Sequence, residues 1–312
     1  MDYCAGVDLG GTSIKTGLFT TEGKLVDKKE IPTRIEGGLN VIFSDIAEAV
    51  KQLSDKNNAT GKLCGAGIGV PGPVQEDGYV ETCANLNLQD FRPADVLSDL
   101  LDGINVRAAN DADAAALGEM WQGGGKGCAN LVAVTLGTGV GGGIIADSKI
   151  VFGFRGMGGE IGHIPLNSDE KELCNCGGIG CLDQVSSATG VVRYAGFELE
   201  KSDSPSVLRN YNILSAKDIL QAAKSGDELA GKTVDYCMSY LGQCLSIVGH
   251  IVDPEIFVIG GGLSNAGTYL LDIIFKHYKK HQHLVKKTAK FSLAELGNDA
   301  GIYGAARLAL GS

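Results

Sequence analysis

The sequence predicts an α/β protein built from two similar domains. A buried strand, a Gly/Thr turn and a second strand occur over Tyr3–Thr20 and return over Asn130–Ala146, each followed by helical and strand patterns. At 312 residues, the chain exceeds the size at which a single core usually stops growing. We therefore predict a small N-terminal domain over 1–115, a large domain over 116–297, and a C-terminal helix over 298–312 that returns to the first domain.

The strands are predicted from short apolar runs bounded by glycine, proline or charged turns. The helices are predicted from apolar residues at helical spacing, as at Ile42, Ile46, Val50 and Leu53, which share one face. The predicted strands cover 3–9, 13–20, 24–31, 62–70, 104–108, 130–136, 140–146 and 256–259. The predicted helices lie near 42–53, 93–101, 112–121, 186–197, 215–224, 227–250, 267–280 and 300–310. The basic segment 276–290, with His277, His281 and His283, is interpreted as a solvated helix end and linker.

The composition restricts the class of function. The formal net charge of −10 argues against a nucleic-acid or anionic-membrane surface, which would need clustered Lys and Arg. No apolar run is long enough to span a membrane, and we expect no signal peptide. Most of the nine cysteines are scattered through apolar runs, which favours buried thiols and a reducing cytoplasm.

A cysteine cluster with an upstream histidine predicts a metal site. Cys174, Cys176 and Cys181 fall within eight residues interrupted by glycines, and His163 lies eleven residues before the first of them. Three thiolates and one imidazole are the donor set of a closed, tetrahedral structural zinc site. Because such a site has no open coordination position, we expect the zinc to brace a loop and take no part in chemistry.

The two Gly/Thr turns predict phosphate binding. In the first, Gly10, Gly11 and Thr12 follow Asp8 and precede Lys15, so backbone amides and a hydroxyl can hold phosphate oxygens while Asp8 holds hydrated Mg²⁺. Either turn alone is equally well explained as an ordinary hairpin. The second turn, formed by Gly137, Thr138 and Gly139, repeats the pattern, and together the pair favours nucleotide binding.

Asp111 is the candidate reactive carboxylate. It comes at the end of a predicted strand and the beginning of a helix, where ligand chemistry is common in α/β folds. From the residues alone, Asn110 and Asp111 are explained equally well as a helix cap.

Six motifs together resemble the ROK family of bacterial sugar kinases and sugar-responsive repressors. They are Asp8-Leu-Gly-Gly-Thr, Pro71-Gly-Pro, Asn110-Asp-Ala, Leu136-Gly-Thr-Gly, Glu160-Ile-Gly-His and Cys174-x-Cys-Gly-x-x-Gly-Cys. The resemblance extends over essentially the whole chain, and the cysteine motif is its most specific part. It implies two ribonuclease-H-like domains of the actin/hexokinase type, facing across a cleft and binding a sugar and ATP with Mg²⁺.

The resemblance also implies residue roles. Asp111 would accept the proton of the sugar hydroxyl that attacks the γ-phosphate. Gly261 and Gly262 would lie on the adenosine side, and one nitrogen of His163 would bind zinc while the other faces the sugar. The sugar would be bound by Gly72, Asn85, Asn110, Asp111, Glu160, His163 and Asp183.

The identity of the sugar is left open at this stage. Glucose is favoured, with an N-acetylhexosamine, mannose or fructose as alternatives, because Asp183 stands where the family usually has the longer glutamate. Polyphosphate is the alternative donor to ATP. A sugar-responsive transcriptional regulator is the alternative class, and a homodimer is expected only because related kinases commonly form one.

Overall fold

The computed structural model describes residues 2–284 and 286–311. Met1, Val285 and Ser312, which fall inside the predicted ranges 1–115, 276–290 and 298–312, lie outside the described residues. The strands are β1 (Tyr3–Leu9), β2 (Ser13–Thr20), β3 (Leu25–Pro32), β4 (Leu63–Val70), β5 (Val80–Cys83), β6 (Leu88–Phe91), β7 (Val106–Asn110), β8 (Leu131–Leu136), β9 (Val140–Ala146), β10 (Lys149–Ile150), β11 (Ile256–Gly260) and β12 (Lys290–Leu293). The helices are α1 (Gly38–Lys56), α2 (Pro93–Leu100), α3 (Asp111–Gln122), α4 (Asp183–Ser186), α5 (Ala188–Lys201), α6 (Ala216–Lys224), α7 (Glu228–Val252), α8 (Thr268–Lys279) and α9 (Ala300–Ala309).

The two five-stranded sheets share one topology. The first has the order β3-β2-β1-β4-β7, in which β1 pairs antiparallel with β2 and parallel with β4. The second has the order β10-β9-β8-β11-β12, so each strand of the first sheet has a counterpart at the same place. The outer pairs agree as well, since β3/β2 and β10/β9 are antiparallel while β4/β7 and β11/β12 are parallel. This repeated arrangement is the predicted ribonuclease-H-like α/β fold, and it explains the repeat of the Gly/Thr turns.

The chain divides into two compact units by its packing contacts. Unit 1 contains 1–133, 143–159 and 295–312, and unit 2 contains 134–142 and 160–294. These bounds differ from the predicted ranges 1–115 and 116–297, because α3 packs on α9 and thereby belongs with the first sheet. The domain bounds 1–115 and 116–297 therefore stay a prediction from the sequence.

The core of unit 1 depends on the C-terminal helix. Helix α9 packs on β1 and β4, where a Cβ added to Gly6 would lie 1.9 Å from the Ile302 oxygen. At Gly67, the paired position on β4, the added Cβ would lie 1.9 Å from the Ala305 oxygen. Only glycine permits this close approach between strand and helix backbones.

Several elements differ from the sequence prediction. The short strands β5, β6 and β10 and the four-residue helix α4 were not predicted. Strand β12 begins at Lys290, the last residue of the segment interpreted as solvated linker, and pairs parallel with β11. His277 of that segment is only 5% exposed and contacts Asp235 at 3.0 Å, so its interpretation as solvated was wrong.

Among the described residues, no helix is both long and apolar enough to cross a membrane.

Candidate active site

Asp111 lies at the first position of α3, directly after the last residue of β7. Its Oδ1 accepts a hydrogen bond from the Ala112 backbone N–H at 2.8 Å. The side chain is reachable by solvent, yet the surrounding protein removes enough hydration to raise the pKa of its carboxyl, against the lowering effect of the Ala112 N–H. An accessible carboxylate of raised basicity at a helix beginning is suited to accept a proton.

Asn110 fixes the position of Asp111. Its side-chain oxygen caps α3 by accepting from the N–H groups of Ala112 at 2.8 Å and Asp113 at 3.2 Å. Its amide nitrogen donates to the Gly72 oxygen at 2.9 Å, which ties the Pro71-Gly72-Pro73 turn to the helix. Gly72 has a φ of +105°, a conformation that glycine adopts at no steric cost. These three hydrogen bonds of Asn110 are structural, and its role in binding the sugar stays a prediction.

The first Gly/Thr turn joins β1 to β2. Gly10 N–H donates to the Ser13 oxygen at 3.0 Å, and the Thr33 hydroxyl donates to the Gly10 oxygen at 2.7 Å. A Cβ on Gly11 would lie 3.7 Å from the backbone oxygen of Asn85 and 3.9 Å from its Cβ. Within unit 1, the predicted phosphate turn therefore lies beside Asn85, a predicted sugar ligand.

Asp8 is the most strongly perturbed carboxyl of this turn. Burial raises its pKa to about 6, while Lys15 opposes the shift and the charges of Asp111 and Glu30 add to it. Asp8 and Lys15 are paired across β1 and β2, so a carboxylate and an ammonium lie side by side at the turn. A half-buried carboxyl that resists ionisation is a site where a cation would be favourable.

The second Gly/Thr turn lies against the Gly261 loop. A Cβ on Gly261 would lie 2.5 Å from the Leu136 oxygen, directly before Gly137, and Gly261 has a φ of +81°. At Gly137 and Gly262 an added Cβ would meet nothing within 4 Å. Within unit 2, the structure thus places the predicted phosphate turn and the predicted adenosine loop together.

Three further hydrogen bonds hold this second turn in place. The Thr189 hydroxyl donates to the Thr138 oxygen at 2.9 Å, and Ala188 N–H donates to the Gly137 oxygen at 2.8 Å. Asp183 Oδ1 accepts from the Val140 N–H, and a Cβ on Gly139 would lie 2.6 Å from the same oxygen. One oxygen of Asp183, predicted as a sugar ligand, is therefore bonded to the backbone at the end of the turn.

The predicted metal ligands converge. The donor atoms of His163, Cys174, Cys176 and Cys181 all lie within 4.8 Å of one another. Cys176 Sγ lies 3.6 Å from Cys181 Sγ, and Cys174 Sγ lies 3.8 Å from His163 Nδ1. Ligands bonded to zinc at ~2.0–2.3 Å in a tetrahedron are separated by roughly 3.5–3.8 Å. The four residues therefore fit a tetrahedral metal ion.

His163 presents its two ring nitrogens to different neighbours. Nδ1 faces the cysteines, whereas Nε2 lies 3.9 Å from Glu160 Oε2. The side chains of His163 and Glu160 are 37% and 34% exposed, so both reach solvent while being anchored near the cysteine loop. One ring nitrogen therefore lies on the side of the cysteines and the other on the side of Glu160, and the expectation that this second nitrogen faces the sugar stays a prediction.

The sequence matches the model of the ROK family over residues 4–312. The chain belongs to the ROK family. It is 42% identical to a glucokinase of Halalkalibacterium halodurans over 308 residues, which cover 97% of this chain and 93% of that protein. It is also 32% identical to an N-acetyl-D-glucosamine kinase of Histophilus somni, with 98% of each chain covered.

Similarity to a solved structure confirms the predicted fold. The crystal structure of a ROK family glucokinase from Streptomyces griseus, in complex with glucose and AMPPNP, superposes with a TM-score of 0.77. The two are 31% identical, and the match covers 99% of this chain and 100% of that one. The predicted family and the actin/hexokinase type of fold are therefore both confirmed.

Sequence reasoning missed three contributors to the site of this ROK protein. The Asn298 oxygen accepts from Lys15 Nζ at 3.1 Å, and a Cβ on Gly301 would lie 2.7 Å from Asp8 Cγ. Glu119, which is 3% exposed, accepts hydrogen bonds from the N–H groups of Glu295 and Leu296, shortly before Asn298 and Gly301 in the chain. Its sequence signal was a glutamate on the buried alanine- and leucine-rich face of α3, shortly before Gly123, Gly124 and Gly125.

Proposed function

We propose that this ROK protein is an ATP-dependent hexose kinase and that glucose is its preferred substrate, converted to glucose 6-phosphate. The observation that carries the proposal is the 42% identity to a glucokinase along 97% of the chain. The placement of Asp111 supports it, since phosphoryl transfer requires a base beside the acceptor hydroxyl together with groups that position and neutralise phosphates.

In the proposed reaction, Asp111 accepts the proton of the sugar hydroxyl as the hydroxyl oxygen bonds to the γ-phosphorus of ATP. The bond between that phosphorus and the β,γ-bridging oxygen breaks, and ADP leaves. The raised pKa of the Asp111 carboxyl makes it a stronger base than an ordinary aspartate. The hydrogen bond from the Ala112 N–H holds the carboxylate in place at the beginning of α3. Asn110, bonded to Gly72 and to the beginning of α3, maintains this orientation.

The phosphates of ATP would be held by backbone amides of both Gly/Thr turns. The residues proposed for the nucleotide are Asp8, Gly10, Gly11, Thr12, Lys15, Gly137, Thr138, Gly139, Gly261 and Gly262. Bound Mg²⁺ would neutralise phosphate charge, and Asp8 is the carboxylate suited to hold its hydration shell. Its neighbour Lys15 adds a positive charge for the phosphates.

The hexose would be bound by amide, carboxylate and imidazole groups that suit a polyol. The proposed residues are Gly72, Asn85, Asn110, Asp111, Glu160, His163 and Asp183. Zinc, held by His163 and the three cysteines, is proposed as a structural ion that fixes the loop carrying Glu160 and His163. No open position remains for it to bind substrate.

The decisive experiment is a coupled kinase assay over a panel of hexoses and phosphate donors. The expected result is the highest kcat/KM with glucose and ATP, and little turnover with polyphosphate. A preference for N-acetylglucosamine would instead favour the second candidate function, which the similarity to the Histophilus somni kinase supports. The shorter Asp183, with one oxygen committed to Val140 N–H, is the feature that would distinguish the two sugars.

A further inference from the structure

Glu119 is a buried carboxylate whose hydrogen-bond partners among the described residues 2–284 and 286–311 are backbone N–H groups. Its side chain is 3% exposed, and its Oε2 accepts from Gly124 N–H at 2.8 Å and from Glu295 N–H at 3.0 Å. Its Oε1 accepts from Leu296 N–H at 2.9 Å. A Cβ on Gly123 would lie 2.0 Å from Oε2, so the chain bends closely around this carboxylate.

Three donated N–H groups offset the loss of hydration that burial imposes on a charged group. They also bring together two stretches of unit 1 that lie far apart in sequence, the Gly123–Gly125 bend and the segment that begins at Glu295. A carboxylate is required here because all three partners are donors, and a glutamine would turn its own NH₂ group toward at least one of them.

The segment that begins at Glu295 continues directly to the phosphate turn. Its Asn298 oxygen accepts from Lys15 Nζ at 3.1 Å. Gly301, the second residue of α9, packs so closely on Asp8 that an added Cβ would lie 2.7 Å from Asp8 Cγ. The positions of Asp8 and Lys15 are therefore coupled, through six residues of chain, to the hydrogen bonds that Glu119 makes.

We propose that Glu119 is a positioning residue for the nucleotide, which holds segment 295–301 so that Lys15 and Asp8 are aligned for the phosphates and Mg²⁺ of ATP. This inference rests on the proposed function, because it assumes that Asp8 and Lys15 face the nucleotide. Glu119 itself touches neither substrate. Its effect should therefore appear in nucleotide affinity and leave hexose affinity unchanged.

The test is the substitution Glu119→Gln, which keeps the shape but replaces one acceptor by a donor. We expect KM for ATP to rise about tenfold and the affinity for Mg·ADP, measured by calorimetry, to fall by a similar factor, as for a buried donor left unsatisfied. KM for glucose should change less than about twofold. Gly301→Ala, whose added Cβ would meet Asp8 itself, should have the same selective effect if this segment sets the position of Asp8. If Glu119→Gln does not fold, Glu119→Asp, which keeps the charge but shortens the side chain by one methylene, should show the same selective loss of nucleotide affinity.

The control is Leu97→Ala, which creates a cavity in the core of unit 1 beside α1 and β4 without touching segment 295–301. It should lower Tm while leaving both KM values unchanged. If Glu119→Gln and Gly301→Ala lower Tm but bind Mg·ADP as the wild type does, Glu119 is merely structural and the inference is overturned. A wild-type protein that binds Mg·ADP but phosphorylates no hexose would refute the proposed function. The calorimetric comparison of Mg·ADP affinity between Glu119→Gln and wild type would still test the role of Glu119.

Discussion

At the level of single residues, two carboxyls of unit 1 are costly to ionise. Burial raises the pKa of both Asp8 and Asp111, and the two charges repel each other. Such groups reduce stability when they are charged, so their placement near glycine turns and a helix beginning is better explained by function than by folding. The proposed roles in binding Mg²⁺ and in accepting a proton give each charge a partner during the reaction.

Asp111→Asn removes the proposed base while preserving its shape. We expect kcat to fall about 10²- to 10⁴-fold, because a positioned general base contributes a factor of that size. Hexose affinity, measured by calorimetry, should be partly retained, because asparagine keeps one oxygen that can accept a hydrogen bond from the sugar. Asp99→Asn makes the same change on an exposed position of α2 and should retain wild-type kcat. If Asp111→Asn keeps more than a few per cent of turnover, Asp111 is not the base.

The same carboxyl predicts the acidic limb of the pH profile. A base must be deprotonated to act, and the pKa of Asp111 is raised by burial. We therefore expect kcat/KM for the hexose to decline, as pH is lowered, at a pH above the ordinary range of an aspartate. A profile that stays flat down to pH ~4 would contradict the role of Asp111.

Asp8 predicts a pH-dependent gain in stability on mutation. Its folded-state pKa of about 6 lies above its ordinary value of 3.8, so the folded protein binds the proton more tightly than the unfolded chain does. Its stabilising contribution is present at low pH and is lost as pH rises through about 6. Asp8→Asn should therefore have a higher Tm than wild type at pH ~8, and the difference should shrink below pH ~6. A Tm difference independent of pH would contradict this.

At the level of elements, the cysteine loop is expected to link metal binding to sugar binding. Cys176→Ser removes one exposed ligand of the four, so bound zinc, measured by elemental analysis, should be lost together with thermal stability. Glucose affinity should fall as well, because His163 and Glu160 lose their support. Cys64→Ser, another exposed cysteine far from the loop in sequence, should change none of the three properties. Unchanged glucose binding in the zinc-free protein would show that the metal does not organise the sugar site.

The turn before β9 should depend on the acceptor at Asp183. Asp183→Ala leaves Val140 N–H without its acceptor, whereas Asp183→Asn retains an oxygen at the same place. We expect the affinity for Mg·ADP to fall more in the alanine variant, with a difference of about 1–3 kcal/mol at most. Equal nucleotide affinities in the two variants would mean that this hydrogen bond does not position the turn.

The site residues that could be predicted from sequence are those whose type and spacing are unusual. Cys174, Cys176 and Cys181 were found because few structures other than a metal site need three cysteines so close together. Asn298 was missed because its backbone oxygen bonds to Lys15, 283 positions away in the chain, which leaves no local pattern. Glu119 was missed because two of its three hydrogen bonds reach Glu295 and Leu296, 176 and 177 positions away. What they hold is visible only once the chain is folded.

The elements show the same division between local and tertiary signals. Long amphipathic helices such as α1 and α7 were predicted to within a few residues, because their apolar periodicity extends over several turns. Strand β12 has four residues and follows a polar, basic stretch of sequence. It forms because β11 provides a parallel edge. β-structure of this kind is fixed by pairing and not by local preference.

At the level of the whole molecule, unit 1 is completed by the last helix of the chain. Because α9 rests on the backbones of β1 and β4, adding one methyl group there should separate strand and helix. Gly67→Ala would place its Cβ 1.9 Å from the Ala305 carbonyl oxygen, a backbone atom that can move only with the helix. We expect a loss of about 1–3 kcal/mol in the free energy of unfolding, measured by denaturant titration.

Gly196→Ala is the matched control for this substitution. It lies in α5, where an added Cβ meets nothing within 4 Å, so the variant should be as stable as wild type or more stable by up to ~1 kcal/mol. Since Gly301 of the same α9 packs on Asp8, Gly67→Ala should also weaken Mg·ADP binding, which Gly196→Ala should not do. If Gly67→Ala is as stable as Gly196→Ala, the close packing of α9 on β4 is not a determinant of the fold.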